Sequence, residues 1–120
     1  MRFRELKLIS GKLALAGKNA ETNEKLVKQA GENEIVLHTS SPGSPFVNIK
    51  AEKTSKKDLK EAAIFCAKYS QAWKKPEKKQ DIGVDYFLGK NIFKLPGMKL
   101  GTFLVKKHKT IIVKKEEIEK

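Results

Sequence analysis

The stretch Glu34-Ile35-Val36-Leu37-His38-Thr39-Ser40-Ser41-Pro42-Gly43-Ser44-Pro45-Phe46-Val47-Asn48-Ile49-Lys50 most constrains what this chain can fold into. Two short apolar runs flank a loop that is too polar and too rich in glycine and proline to lie in a core. The runs therefore read as two strands joined at one end. On the second, Val47 and Ile49 point one way while Phe46, Asn48 and Lys50 point the other. His38 closes the first strand, and Ser41 and Ser44 flank Gly43. Hydroxyls, exposed backbone N–H groups and an imidazole in that arrangement suit an anionic group, provided that the surroundings are basic.

They are basic, and unevenly so. The 120 residues hold 26 Lys+Arg against 14 Asp+Glu, a formal charge of +12. Residues 1–50 carry 8 basic and 5 acidic side chains, and residues 51–120 carry 18 and 9. Such a balance favours polyanions such as nucleic acid or an acidic membrane surface. The plain alternative is a lysine-rich soluble protein of the kind common in hot environments. Cys66 is the only cysteine, which excludes an intrachain disulfide and points to a reducing compartment. No apolar run approaches the roughly 18 residues that span a bilayer, and the N-terminus lacks the apolar core of a signal peptide. The expectation is a cytoplasmic protein.

Around the central stretch, the remaining segments supply the partners for its strands. Leu6 and Leu8 alternate with charged residues, Ser10-Gly11 marks a turn, and Leu13 and Leu15 alternate with Ala14 and Ala16, which predicts an opening hairpin. A short amphipathic helix follows over about residues 20–30, with Asn19 as N-cap and Gly31 just past its end. Ser55 or Thr54 caps a second helix running to about Trp73 or Lys74, its apolar face including Leu59, Ala62, Ala63 and Cys66. Val84, Tyr86 and Leu88 mark another strand. Residues 102–106 and 110–114 read as a last hairpin, ahead of a charged tail from Lys115. The order β-β-α-β-β-α-β-β-β predicts an α+β fold: one domain over residues 1–114 and a tail over 115–120, with two helices packed on one face of a largely antiparallel sheet.

Several chemistries can be weighed from spacing. Gly17-Lys18 is not a Walker loop, which would need glycine at Lys12 and Ser or Thr at Asn19. What survives is a lysine at a helix N-terminus, where backbone N–H groups favour anions. His38, His108 and Cys66 lack metal-ligand spacing, and no cofactor motif is present. Ser41 or Ser44 with His38 would make a dyad without an orienting group, so a small hydrolase is the weaker reading. Lysine clusters are the stronger signal: Lys74, Lys75, Lys78 and Lys79; Lys90, Lys94 and Lys99; Lys106, Lys107 and Lys109 around His108. They sit at helix ends and loops, where long cations reach a phosphate backbone with little sequence readout. Such clusters suit RNA, DNA or any other polyanion alike.

Four motifs in order then resemble the NFACT-R family of RNA-binding domains. The first is Ser10-Gly11-Lys12-Leu13-Ala14-Leu15-Ala16-Gly17-Lys18-Asn19-Ala20-Glu21-Thr22-Asn23, similar to that family's Gly-Arg/Lys-Asn…Asn signature. The second is Leu37-His38…Pro42-Gly43-Ser44, and the third Asp58-Leu59…Glu61-Ala62-Ala63…Tyr69-Ser70. Val84-Asp85-Tyr86, Lys94 and Gly97…Gly101 resemble the closing segment. The resemblance implies a non-catalytic protein binding tRNA or rRNA in ribosome-associated quality control, near the large ribosomal subunit. It implies contacts from Gly17, Lys18, Asn19, Asn23, His38, Gly43 and Ser44. To these the basic and loop residues add Ser41, Lys50, Lys74, Lys75, Lys90, Lys94 and Lys99. Pro45 stands where the family usually places a second histidine. The expected form is the standalone one, without the further domains and coiled coils of the large factors, so their peptide-tailing activity is not carried over.

Overall fold

The computed structural model describes residues 3–120. Strands β1 (Arg4–Lys7) and β2 (Leu13–Ala16) lead into helix α1 (Ala20–Gln29), then strands β3 (Ile35–Thr39) and β4 (Val47–Ile49). Helices α2 (Lys56–Lys68) and α3 (Gln71–Lys74) precede β5 (Ile82–Leu88), the short strands β6 (Ile92–Phe93) and β7 (Leu104–Val105), β8 (Lys109–Val113) and helix α4 (Lys115–Glu119). Six strands form one antiparallel sheet in the order β1-β2-β4-β3-β5-β8, and β6 pairs with β7 in a separate ribbon. The α+β fold is as the sequence predicts.

The two long helices do not share a face. On one side of the sheet, Ala14, Ala16, Leu37, Val47, Ile49, Val84 and Val113 bury against Ala62, Ala63, Cys66 and Ala67 of α2. Small residues on both partners let that helix lie close. On the other side, Val36, Phe46 and Phe87 pack with Leu26 of α1. Each of these larger side chains contributes about 1.5–3 kcal/mol by leaving water. The consecutive apolar residues of β3 require this arrangement, because Val36 and Leu37 are both fully buried yet face opposite ways. Asn48, on the α1 side, is satisfied inside: its amide donates to the Ile35 carbonyl at 3.1 Å and accepts from Gln29 at 2.9 Å.

Two further expectations change. The second helix stops at Lys68, because Ser70 restarts the chain as α3: its hydroxyl accepts from the Trp73 N–H at 3.3 Å and donates to the Ala67 carbonyl at 2.7 Å. The last hairpin does not form. β7 pairs with β6, leaving β8 to pair with β5, since the long β5 offers the larger ladder. The charged tail is α4, whose Ile118 is buried against α2, while Glu117 pairs with Lys60 at 3.0 Å.

Asp58 fastens the N-terminus of α2 to the β1–β2 turn. It accepts from the Ser10 hydroxyl at 2.6 Å and the Ser55 N–H at 3.0 Å, and pairs with Lys12 at 3.0 Å. The Ser10 and Ser55 hydrogen bonds, with Lys12 beside them, hold its carboxyl well below the usual range. A carboxylate lowered on folding stabilises fully above its unfolded value, about 3.9, and that stabilisation fades as pH falls below it. Asp58→Asn is therefore expected to lower the melting temperature at pH 7. The gap from the parent should narrow below about pH 4, as thermal melts across pH would show.

Candidate nucleic-acid interface

Four stretches distant in sequence meet at one end of the sheet: the β2–α1 turn at 17–19, the β3–β4 loop at 40–46, the break between α2 and α3, and residues 100–105. They enclose a half-open cavity of about 630 Å³.

The turn is shaped by a side chain filling space that glycine leaves. Asn23 Oδ1 accepts from the Phe46 N–H at 3.1 Å, and the Gly17 N–H donates to the Phe46 carbonyl at 3.0 Å. A β-carbon at residue 17 would stand 1.9 Å from Asn23 Oδ1, so no other residue fits without moving it. Asn19 caps α1 by accepting from the Thr22 N–H at 2.9 Å. The Thr22 hydroxyl in turn accepts from the N–H groups of Lys18 at 2.7 Å and Asn19 at 2.9 Å. The N–H groups of Lys18, Asn19 and Thr22 are thus occupied within the turn, and Lys18 presents its exposed ammonium.

Hydrogen bonds also fix the serine-rich loop from within. Ser44 accepts from the Thr39 N–H at 3.0 Å and donates to the Pro45 carbonyl at 2.9 Å. Thr39 donates to the Ser41 carbonyl at 2.6 Å. Gly43, at φ +87°, adopts a left-handed conformation that favours glycine, and its carbonyl receives the Gln71 N–H at 2.7 Å. Ser44 is consequently a brace, Pro45 is buried, and Ser41 and Gly43 are exposed on the cavity wall. Among the described residues neither Ser41 nor Ser44 hydrogen-bonds to His38, so the dyad is not assembled.

His38 lies 4.4 Å from the Phe46 ring, and Phe46 meets Phe103 edge-on at 5.6 Å. The His38 Nδ1 is 2.7 Å from the Thr39 carbonyl, so this nitrogen carries the proton and Nε2 keeps a lone pair. Burial lowers the His38 pKa below its ordinary value; the Thr39 carbonyl and Asp85 oppose that only in part. The imidazole is therefore neutral at pH 7. Asp85 is held in place by hydroxyl donors from Ser40 and Thr110, each at 2.7 Å.

The cations divide into two groups. Lys94 pairs with the buried Glu24 at 2.7 Å and donates to the Lys99 carbonyl, while the Gly101 N–H also reaches Glu24 at 2.7 Å. Lys94 and the Gly101 N–H hold the Glu24 carboxyl below its ordinary pKa against the effect of burial. Lys50 pairs with Glu34 at 2.7 Å. Neither Lys94 nor Lys50 lines the cavity; Lys75, Lys90 and Lys99 are exposed elsewhere. Arg4, Lys18 and Lys74 do line it, and among the described residues none has a carboxylate partner. Arg4 stands 4.3 Å and Lys74 5.6 Å from the centre of the Tyr69 ring. The cluster at 106–109 edges a second, more apolar cavity with Ile35, Tyr86 and Leu88.

Of the expected site residues, the cavity gathers Gly17, Lys18, Asn19, Asn23, His38, Ser41, Gly43, Ser44 and Lys74. Sequence reading missed Arg4, Gln71 and the anchor Glu24. Arg4 is opposite Ala16 in the ladder, next to Gly17, a position visible only once the β1–β2 register is known.

Comparison with known proteins follows the same outline. A family described as the NFACT protein RNA binding domain matches residues 2–107. The archaeal Rqc2 homolog aRqcH of Methanocaldococcus jannaschii is 39% identical over 70 residues, covering 56% of this chain and 10% of that protein. This chain thus spans a small part of that relative's length. The C-terminal part of the fibronectin/fibrinogen-binding protein from Streptococcus suis superposes with a TM-score of 0.85 at 23% identity, covering 99% of this chain and 48% of that one, a likeness of fold.

Three outcomes test this geometry. Gly17→Ala should cost about 1–3 kcal/mol, because Asn23 must leave Phe46 or the turn must shift; chemical denaturation measures it. A depressed histidine stabilises fully above its unfolded value, and that stabilisation declines as pH falls through about 6.5 toward the folded value. An NMR titration of His38 should therefore show a midpoint below about 6.5, and His38→Gln should flatten that limb of the stability profile.

Proposed function

The chain belongs to the family of NFACT RNA-binding domains, and from that premise we propose that it binds structured RNA, tRNA or rRNA, in ribosome-associated quality control, without chemistry of its own. The carrying observation is the set of unpaired cations, Arg4, Lys18 and Lys74, around the cavity where the motif residues converge. A cation already neutralised by a buried carboxylate adds little to phosphate binding, whereas one held without a partner displaces counterions when RNA arrives. On this reading Gly17, Asn19, Asn23, Gly43 and Ser44 shape the surface, Lys18 and Lys74 with Arg4 contact phosphate, and His38 offers a neutral acceptor. Lys75, Lys90 and Lys99 add exposed charge outside the cavity, while Lys50 and Lys94 serve the fold. No helix among the described residues is long and apolar enough to cross a membrane, and the proposed setting is the cytoplasm.

Lysine outnumbers arginine heavily, which suits point-charge contact with phosphate over bidentate reading of bases. Binding of tRNA measured by fluorescence anisotropy should accordingly weaken steeply with salt. Lys18→Ala and Lys74→Ala should each reduce the slope of log affinity against log salt by roughly one unit. Lys50→Ala should leave the slope unchanged and instead cost about 1–2 kcal/mol of stability, since its pair with Glu34 is only partly shielded from water. Equal competition by heparin, duplex DNA and tRNA would replace this reading with general polyanion binding. Crosslinking in cells, followed by sequencing of the attached RNA, identifies the species.

A further inference from the structure

The cavity holds more than phosphate contact requires. Neutralising a duplex backbone needs cations on an open surface, yet here the cations border a recess whose volume, about 630 Å³, is that of a small-molecule pocket. Its interior is aromatic: the partly exposed rings of His38, Tyr69 and Phe103, with Phe46 behind them. Arg4, Lys18 and Lys74 supply positive charge. The polar handles are few and of both kinds. His38 Nε2 accepts, because Nδ1 is engaged with the Thr39 carbonyl. The amide nitrogens of Asn19 and Asn23 donate, because their oxygens are taken by the N–H groups of Thr22 and Phe46. Among the described residues no buried side-chain nitrogen or oxygen lacks a partner, so these free groups are open to a ligand.

Aromatic faces, an acceptor, amide donors and cations in one recess match a ligand that is flat and aromatic at one end and anionic at the other. We infer that the cavity takes one unpaired nucleotide of the bound RNA, its base against the His38 and Phe103 rings and its phosphates at Arg4, Lys18 and Lys74. The inference rests on the RNA-binding reading and adds to it a requirement for a single-stranded element. Unpaired nucleotides are where RNA offers its bases to aromatic side chains, since the deep groove of the A-form helix hides them. Loss of one stacked base typically weakens binding about tenfold or more.

The test uses the intact chain and a stem-loop RNA, the same stem-loop with abasic sites in the loop, and the stem alone as a blunt duplex. The intact stem-loop should bind about tenfold or more tighter than either control at equal salt. A fluorescent adenine analogue in the loop should be quenched on binding. Phe103→Leu, if its thermal melt matches the parent, should erase most of the difference between intact and abasic RNA while leaving the salt slope unchanged. Equal affinity for all three RNAs, with a normal salt slope, would overturn the inference and leave the RNA-binding reading standing. Failure to bind any of them at low salt would overturn both.

Discussion

The site depends on one hydrogen bond made in a space that only glycine leaves free. Asn23 projects from α1 to the Phe46 N–H through the room above Gly17, and so joins the end of β2, the first helix and the entry to β4. Two walls of the cavity meet at that junction. Phe46 carries the stack that His38 and Phe103 share, and the Gly17 carbonyl receives a guanidinium N–H of Arg4 at 3.4 Å. A carboxamide suits this role because it accepts one bond inward and retains a donor outward. The cost of burying its oxygen is offset by the N–H it satisfies.

A second principle separates charges that build the fold from charges left without a carboxylate partner. Asp58, Glu24 and Glu34 each sit at a junction between elements, and each draws a lysine to it. The lysines so engaged carry the same formal charge as the others, but their fields are largely cancelled at short range. The field that reaches an approaching polyanion therefore comes from a subset of the 26 basic residues. A high net charge measures solubility and long-range attraction; the placement of carboxylates decides where the attraction ends.

Much of this was legible in the sequence, and the reasons for the rest are local. The alternation in 34–50, the caps at Asn19 and Ser55, and the buried Cys66 follow from periodicity and capping chemistry, which act over a few residues. The placement of helices on opposite faces was not legible, because alternation shows that a strand has two faces without saying what covers each. The break at Ser70 was hidden by an apolar pattern that continues through Trp73; it depends on the Gly43 carbonyl, a partner distant in sequence. The pairing of β7 with β6 was missed since short strands are chosen by the ladders left over. Within the site, the motif loops were found and Arg4 and Glu24 were not. Both act through strand register or across long sequence separations that composition and spacing do not encode.

The contrast between local charge and long-range geometry bears on how such a chain behaves before it has folded. Its lysines remain positive on an extended polypeptide, so a newly made or unfolded copy still attracts polyanions. The recess at the end of the sheet, assembled from residues as far apart as Arg4 and Phe103, does not exist in that state. On the proposed reading, folding acts on discrimination more than on attraction: it adds a shaped recess to a charge that the unfolded chain already carries. On that reading, a destabilised variant loses selectivity among nucleic acids before it loses attraction to them.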